Sequence, residues 1–400
     1  MDDTYILGLE NRTPLSLSTR ARRQHISLIG ATGTGKSTLL FNMMRDDQKN
    51  NRGFALLDPH GDLALAVADA TPKSRMKDTI YFDPLDTHVV SYNPLTDISP
   101  LHRGTIAAHV VSSFKHIWLN TWGARLEYIL TNSIRLLLDN HLTLTDIPRL
   151  LVDDDFRERL LNHCSDDYVR LFWTKEYAGY SDRLKAEAIA PIQNKAGVFA
   201  NNPILRAVVG SNSTIDIPHI MNTGKILICN LSKQMGAEPS FLLGALLVTG
   251  FAQGAMARDD IKEEDRVDFT LYVDEFQNYA TESFSHILSE ARKYRLNLVL
   301  ANQFMHQVPE ILRHSVIGNT GTLVVFRIGS IDAPLFSKEL GIPERPLIDL
   351  PNYRCYARTM IEGSPSAARL LHTLPADLST GALQSVKNTT RARHARPRGE

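Results

Sequence analysis

Short, continuous apolar runs occupy both ends of the chain, and a different rhythm fills the middle. HISLIG (25–30), GFALLD (53–58) and TIYFDP (79–84) are apolar throughout and close on turn residues. KILICNL (225–231), FTLYVD (269–274), LNLVLA (296–301) and TLVVFRI (322–328) repeat the style. Runs that do not alternate suit parallel strands covered on both faces. YRCYARTMI (353–361) would add an edge strand. Between the two sets, Val110, Val111, Phe114, Ile117 and Trp118 recur at helical spacing, as do Leu126, Ile129, Leu130, Ile134 and Leu137. Such stripes are the mark of core packing. The pattern predicts an α/β fold with a parallel-rich central sheet, contributed by 25–99 and 222–375. An all-helical domain, 100–221, is inserted between these parts. Residues 1–24 read as a lead-in, and 376–400, ending RARHARPRGE, as a basic mobile tail.

The chain has 400 residues, more than one ordinary core, with 43% hydrophobic and 22% charged positions, a globular composition. Lys plus Arg equals Asp plus Glu at 44 each, so any nucleic-acid contact should be local and not a uniform basic coat. Cys164, Cys229 and Cys355 form no CxxC pair, which argues against a zinc site or a disulfide framework and fits a reducing cytoplasm. The start, MDDTYILGLENR, has no apolar core and is no secretory signal. The longest uncharged stretch, 239–257, approaches the ~20 apolar residues that span a bilayer. Gly244, Thr249, Gly250, Gln253 and Gly254 lower its hydrophobicity, so a buried core helix is expected.

The chemistry begins at Gly30-Ala31-Thr32-Gly33-Thr34-Gly35-Lys36-Ser37, a full GxxxxGK[ST] between a strand ending at Ile29 and a helical stretch starting near Thr38. Its glycines let the backbone wrap phosphates, and the helix start presents free N–H groups and a positive dipole end. Lys36 would reach the β- and γ-phosphates of ATP, and Ser37 would ligate Mg2+. The strand Leu271-Tyr272-Val273 ends in Asp274 and Glu275, which suit a magnesium shell and the activation of a water respectively. Gln303 closes the next buried strand. There it is either a γ-phosphate sensor or an ordinary polar strand end. Glu290-Ala291-Arg292-Lys293-Tyr294-Arg295 reads as a solvated basic helix end or as an arginine finger for a neighbour's ATP. In Asp58-Pro59-His60-Gly61-Asp62 the Pro and Gly favour a tight turn over a metal site.

GATGTGKST, LLDPHGDL, YVDEFQNYAT, SEARKYRLNLVLANQ and GTLVVFRIGSIDA together resemble the HerA–FtsK superfamily of P-loop ATPases. Within it they look most like the conjugative coupling ATPases of type IV secretion, the TraG/TraD-type DNA-binding ATPases. WGARLEYIL, FWTKEYAGYSDRLKAEAIAPIQNKAGVF and MNTGKILICNLS extend the likeness through the helical block, from about residue 6 to about residue 375. The resemblance implies a RecA-like motor, a hexameric homo-oligomer with ATP at subunit interfaces, and DNA in a central channel. It implies Lys36 and Ser37 as phosphate and magnesium residues, Asp274 and Glu275 as the Walker B pair, Gln303 as sensor and Arg292 as the trans-acting finger. Arg327 is a second neighbour-facing candidate. Coupling proteins usually begin with transmembrane helices. Here the ATPase starts almost at residue 1, so a cytoplasmic form without stable membrane insertion is expected. The arginine the family usually carries before its first strand is replaced by Gln24, with Arg22 and Arg23 adjacent. The expected activity is ATP-driven DNA translocation, in DNA transfer or in mobile-element or phage defence, with a nuclease or a secretion/relaxase partner. The alternative is an ATP-controlled ring platform that recruits an effector without moving DNA.

Overall fold

Each apolar run becomes a strand in the computed structural model, which describes residues 4–398 apart from 97, 362 and 377–379. In chain order the strands of the main sheet are β1 (Thr4–Glu10), β2 (Thr13–Ser18), β3 (Ile26–Ile29), β4 (Gly53–Asp58), β5 (Thr79–Phe82), β6 (Ile226–Asn230), β7 (Phe269–Val273), β8 (Leu296–Asn302), β9 (Thr322–Val325), β10 (Arg354–Arg358) and β11 (Arg369–His372). They form one 11-stranded sheet in the order β2-β1-β11-β10-β9-β3-β8-β7-β4-β6-β5. From β9 to β5 every pairing is parallel. From β9 to β2 every pairing is antiparallel. The division follows the sequence. All residues of β3, β4, β6, β7 and β8 are buried, whereas β1, β2 and β10 bury alternate side chains.

The stretch read as a lead-in is a hairpin. Tyr5, Leu7, Leu15 and Leu17 point into the core, and Asn11 and Arg12 both hold left-handed backbone, the two-residue turn that matches strand twist. Its period-2 alternation was legible in TYILGLE and TPLSLS.

Two compact units divide the chain. One holds residues up to Phe82, Ile217–Lys233 and Gly254–Ala392, and therefore the whole main sheet. The other holds Asp83–Asp216, Gln234–Gln253 and residues from Arg393 onward. The helical unit thus starts before residue 100 and recruits a later segment. That segment is most of the helix Ala237–Met256, whose Leu242, Leu243, Leu246, Leu247 and Phe251 are fully buried. The helix is long and apolar enough to cross a membrane, yet 78% of its most apolar stretch is buried. A helix apolar on every face needs cover on every face. In the same unit Tyr177 donates to the Leu151 carbonyl at 2.9 Å and packs edge-on against Trp173. His88–Val89 pairs with Arg396–Pro397, so the unit is not wholly helical.

The mobile tail expected from residue 376 is corrected by a helix, Leu383–His394. Val386 is fully buried, and the Thr390 hydroxyl accepts the Tyr81 N–H at 2.9 Å. One buried apolar side chain and one hydroxyl bonded to β5 anchor a segment whose overall composition is polar.

Candidate active site

The site lies in the first unit, at the carboxyl edge of the parallel sheet. Strand register brings its parts together. Ile29 pairs with Asn302, Leu300 with Val273, and Val273 with Leu57. The loops that follow therefore deliver Gly30, Gln303, Asp274 and the end of β4 to one crevice, where open α/β sheets bind ligands. The cleft has a volume of about 930 Å³.

The loop after β3 is held from inside. Gly30 donates its N–H to Asn302 at 3.3 Å, Ala31 to the Arg327 carbonyl at 2.8 Å, and the Thr34 hydroxyl to the Ala31 carbonyl at 2.7 Å. Gly33 and Gly35 have positive φ, 75° and 118°, which only glycine adopts readily. A side chain at Gly30 would collide with Phe326 at 2.5 Å. The helix Lys36–Lys49 starts at Gly35 with no side chain capping its first amides, so those N–H groups face outward for an anion.

Lys36 is buried, and its amine donates to the carbonyls of Gly30 and Ala31. Burial pulls its pKa down, and Glu275 and Asp274 oppose the shift. Asp274 is pushed up to about 7 by burial, then by Asp58 and Glu275, against the pull of Lys36. The Glu275 backbone is left-handed, φ 48°, an unfavourable conformation for a non-glycine residue. Its N–H donates to the Asp274 carboxylate at 3.0 Å, and its own carboxylate accepts from Gln277. Gln303 donates to the Thr32 hydroxyl at 2.6 Å, joining the tip of β8 to the loop after β3.

Asp58 turns inward. Its two carboxylate oxygens accept the N–H groups of His60 and Ala64, each at 2.9 Å, and Gly61 has φ 90°. The segment 58–62 is thus a turn capped by its own aspartate. Among the described residues no group of three or more His, Cys, Asp or Glu is arranged to hold a metal by itself.

Thr32, Gly33, Gly35, Lys36, Ser37, Thr38, Asp274, Glu275 and Gln303 all line the cleft. Arg292 does not. It is exposed just before β8, at the opposite end of that strand from Gln303. Arg327 lies beside its own phosphate loop, with its side chain donating to the Leu350 carbonyl at 3.3 Å. Arg22 and Arg23 are both engaged in structure. Arg22 makes a buried bidentate pair with Asp47 (2.6 and 2.8 Å) and bonds Tyr272, and Arg23 makes a bidentate pair with Asp268 (2.8 and 2.7 Å). Sequence reading missed His60, Lys233, Gln277, Asn278 and Tyr353 among the cleft residues. The first four lie two to five residues past the ends of β4, β6 and β7, in the same kind of loop that marked Asp274. Tyr353 carries no such signal.

The model of the type IV secretion-system coupling protein DNA-binding domain family matches residues 11–344. No curated protein sequence matches significantly. Among solved structures, the unbound bacterial conjugative coupling protein TrwBΔN70 superposes with a TM-score of 0.69 at 14% identity, covering 94% of this chain and 90% of its own. The plasmid coupling protein TrwB in complex with the non-hydrolysable ATP analogue ADPNP gives 0.66 at 14%, covering 94% and 91%. VirB4 of Thermoanaerobacter pseudethanolicus gives 0.61 at 14%, covering 93% and 96%. At these identities the structural likeness speaks for the fold.

Proposed function

The chain belongs to the type IV secretion-system coupling protein DNA-binding domain family, and from that premise we propose that it is a magnesium-dependent ATPase that moves DNA as an oligomeric ring. One observation carries the reading: Lys36 and Ser37, the Asp274–Glu275 pair and the Gln303–Thr32 bond share one cleft.

The residues fit the two groups. Uncapped amides at a helix start and a buried amine are donors for a polyphosphate. Asp274, with its proton affinity raised by burial and then by the neighbouring Asp58 and Glu275 carboxylates, sits where added positive charge would be favourable. The Ser37 hydroxyl and the Asp274 carboxylate, both lining the cleft, suit Mg2+, which takes one or two protein ligands and completes its shell with water and substrate phosphate. When bound, the cation would supply positive charge to offset the negative charge that develops on the phosphates.

In this mechanism Lys36 holds the β- and γ-phosphates, and the Ser37 hydroxyl and Asp274 carboxylate hold the cation. Glu275 orients the attacking water and takes its proton at a carboxylate oxygen, and its left-handed backbone turns that carboxylate toward the cleft. Gln303, tied to Thr32, senses the γ-phosphate and passes its state to β8. Arg292, far from its own cleft, acts on a neighbouring subunit's ATP. The plasmid coupling protein TrwB, bound to ADPNP in one structure and to ADP and Mg2+ in another, supports the ligand assignment. DNA transfer through type IV secretion is the process this family points to, with a relaxase or a nuclease as protein partner.

The test is steady-state ATP hydrolysis with and without DNA at several salt concentrations. A motor's rate rises with DNA, and the rise fades steeply with salt because phosphate contacts release counterions. Lys36→Ala falls to background in both conditions. A rate indifferent to DNA but responsive to a protein partner replaces the motor with the platform.

A further inference from the structure

Tyr353 is 48% exposed on the wall of the cleft, and its backbone is left-handed at φ 63°. A bulky aromatic residue rarely accepts that conformation, and here hydrogen bonds hold it there. Its N–H donates to the Thr34 carbonyl at 2.7 Å, and its own carbonyl accepts from Thr373, from the N–H at 2.9 Å and the hydroxyl at 3.2 Å. The ring lies against Gly35, where an added Cβ would come within 3.1 Å of the tyrosine Cδ1.

From Thr373 the chain runs along the helix Lys36–Lys49. The Asn42 side chain donates to the carbonyls of Leu374 (3.1 Å) and Pro375 (3.0 Å). That brings Ala376 to the same cleft as Phe41 and Tyr353. The wall beside the start of the phosphate-loop helix is therefore apolar and aromatic. Beyond the triphosphate groups, ATP offers one flat apolar surface, its base.

We propose that Tyr353 is the platform on which the base of the bound nucleotide stacks; this rests on the reading of the cleft as an ATP site. The backbone bonds to Thr34 and Thr373 fix the main chain that carries the ring, and Gly35 bounds the ring on one side, so little backbone freedom is lost on binding. Stacking uses the face of the base and ignores its edge, so adenine and guanine nucleotides benefit alike.

The experiment is calorimetric titration of the full chain with ADP, GDP and inorganic tripolyphosphate, each with magnesium. Tyr353→Asn removes the ring, and asparagine tolerates left-handed backbone. Tyr353→Leu keeps bulk against Gly35 without a π-face, and Tyr353→Phe keeps the face without the hydroxyl. Tyr353→Asn and Tyr353→Leu are expected to weaken ADP and GDP roughly tenfold to a hundredfold. Tripolyphosphate affinity stays unchanged in both, and Tyr353→Phe binds all three as wild type does. Unchanged ADP affinity in Tyr353→Leu overturns the platform. So does an equal loss for tripolyphosphate and ADP, which would make Tyr353 a support of the loop and not of the base. A wild-type chain that binds neither ADP nor tripolyphosphate overturns the ATP site itself, and the platform with it.

Discussion

The two edges of the parallel sheet are built on opposite electrostatic terms. At the amino edge, Arg22 and Arg23 are each paired with a carboxylate. Burial alone would lower the Arg22 pKa and raise that of Asp47, but their bidentate pair, joined by Tyr272 at 2.6 Å from Asp47, reverses both directions. His25 accepts the Leu298 N–H at Nδ1 (3.1 Å) and approaches the Leu288 carbonyl through Nε2 (3.2 Å), and burial holds its pKa down at about 4. At the carboxyl edge the charges conflict. Lys36 is partly desolvated, Asp274 is crowded by Asp58 and Glu275, and Glu275 sits on unfavourable backbone. The same sheet thus closes one edge for stability and leaves the other wanting a polyanion and a cation.

Arg292 offers the way to break that contrast, because it stands on the closed edge while the proposed mechanism gives it a catalytic role. An arginine finger contributes roughly a thousandfold to a hundred-thousandfold. Arg292→Ala should lose that much hydrolysis while still binding ATP, and mixing it with Lys36→Ala should restore measurable turnover once subunits exchange. No recovery at any ratio, with exchange shown by labelled subunits, removes the trans role and returns Arg292 to a solvated helix end.

The open edge should yield activity changes without stability changes. Glu275→Gln is expected to slow hydrolysis by about a hundredfold to ten-thousandfold, the usual contribution of a positioned base. It should still bind ATP, and its melting temperature should match wild type, since Gln keeps both shape and backbone strain. A clear drop in melting temperature would show that Glu275 supports the fold.

The closed edge should behave in the reverse way. Asp47→Asn leaves Arg22 buried without its counter-charge, which typically destabilises by about 3–5 kcal/mol. Denaturant melts should show that loss, while the hydrolysis rate of the folded fraction stays near wild type. A stable but inactive Asp47→Asn would place this pair in the catalytic machinery.

The phosphate loop and the Asp274–Glu275 pair were readable in sequence because their chemistry is local: a glycine pattern before a helix, and two carboxylates at the tip of an apolar strand. The buried parallel strands were readable for a similar reason, since cover on both faces leaves an uninterrupted apolar run. Sequence alone did not disclose Tyr353. Its place depends on β10 and β11 folding back beside β9, and strand pairing across such separations leaves no local trace. Nor did it disclose the Arg22–Asp47–Tyr272 network, whose members are brought together from three separate segments. The extent of the helical unit and the anchoring of Leu383–His394 were also tertiary decisions. An apolar helix goes where faces are available to cover it, and a polar tail orders when one buried side chain finds a socket. Sequence determines which groups need partners, and only the folded chain determines which partners they get.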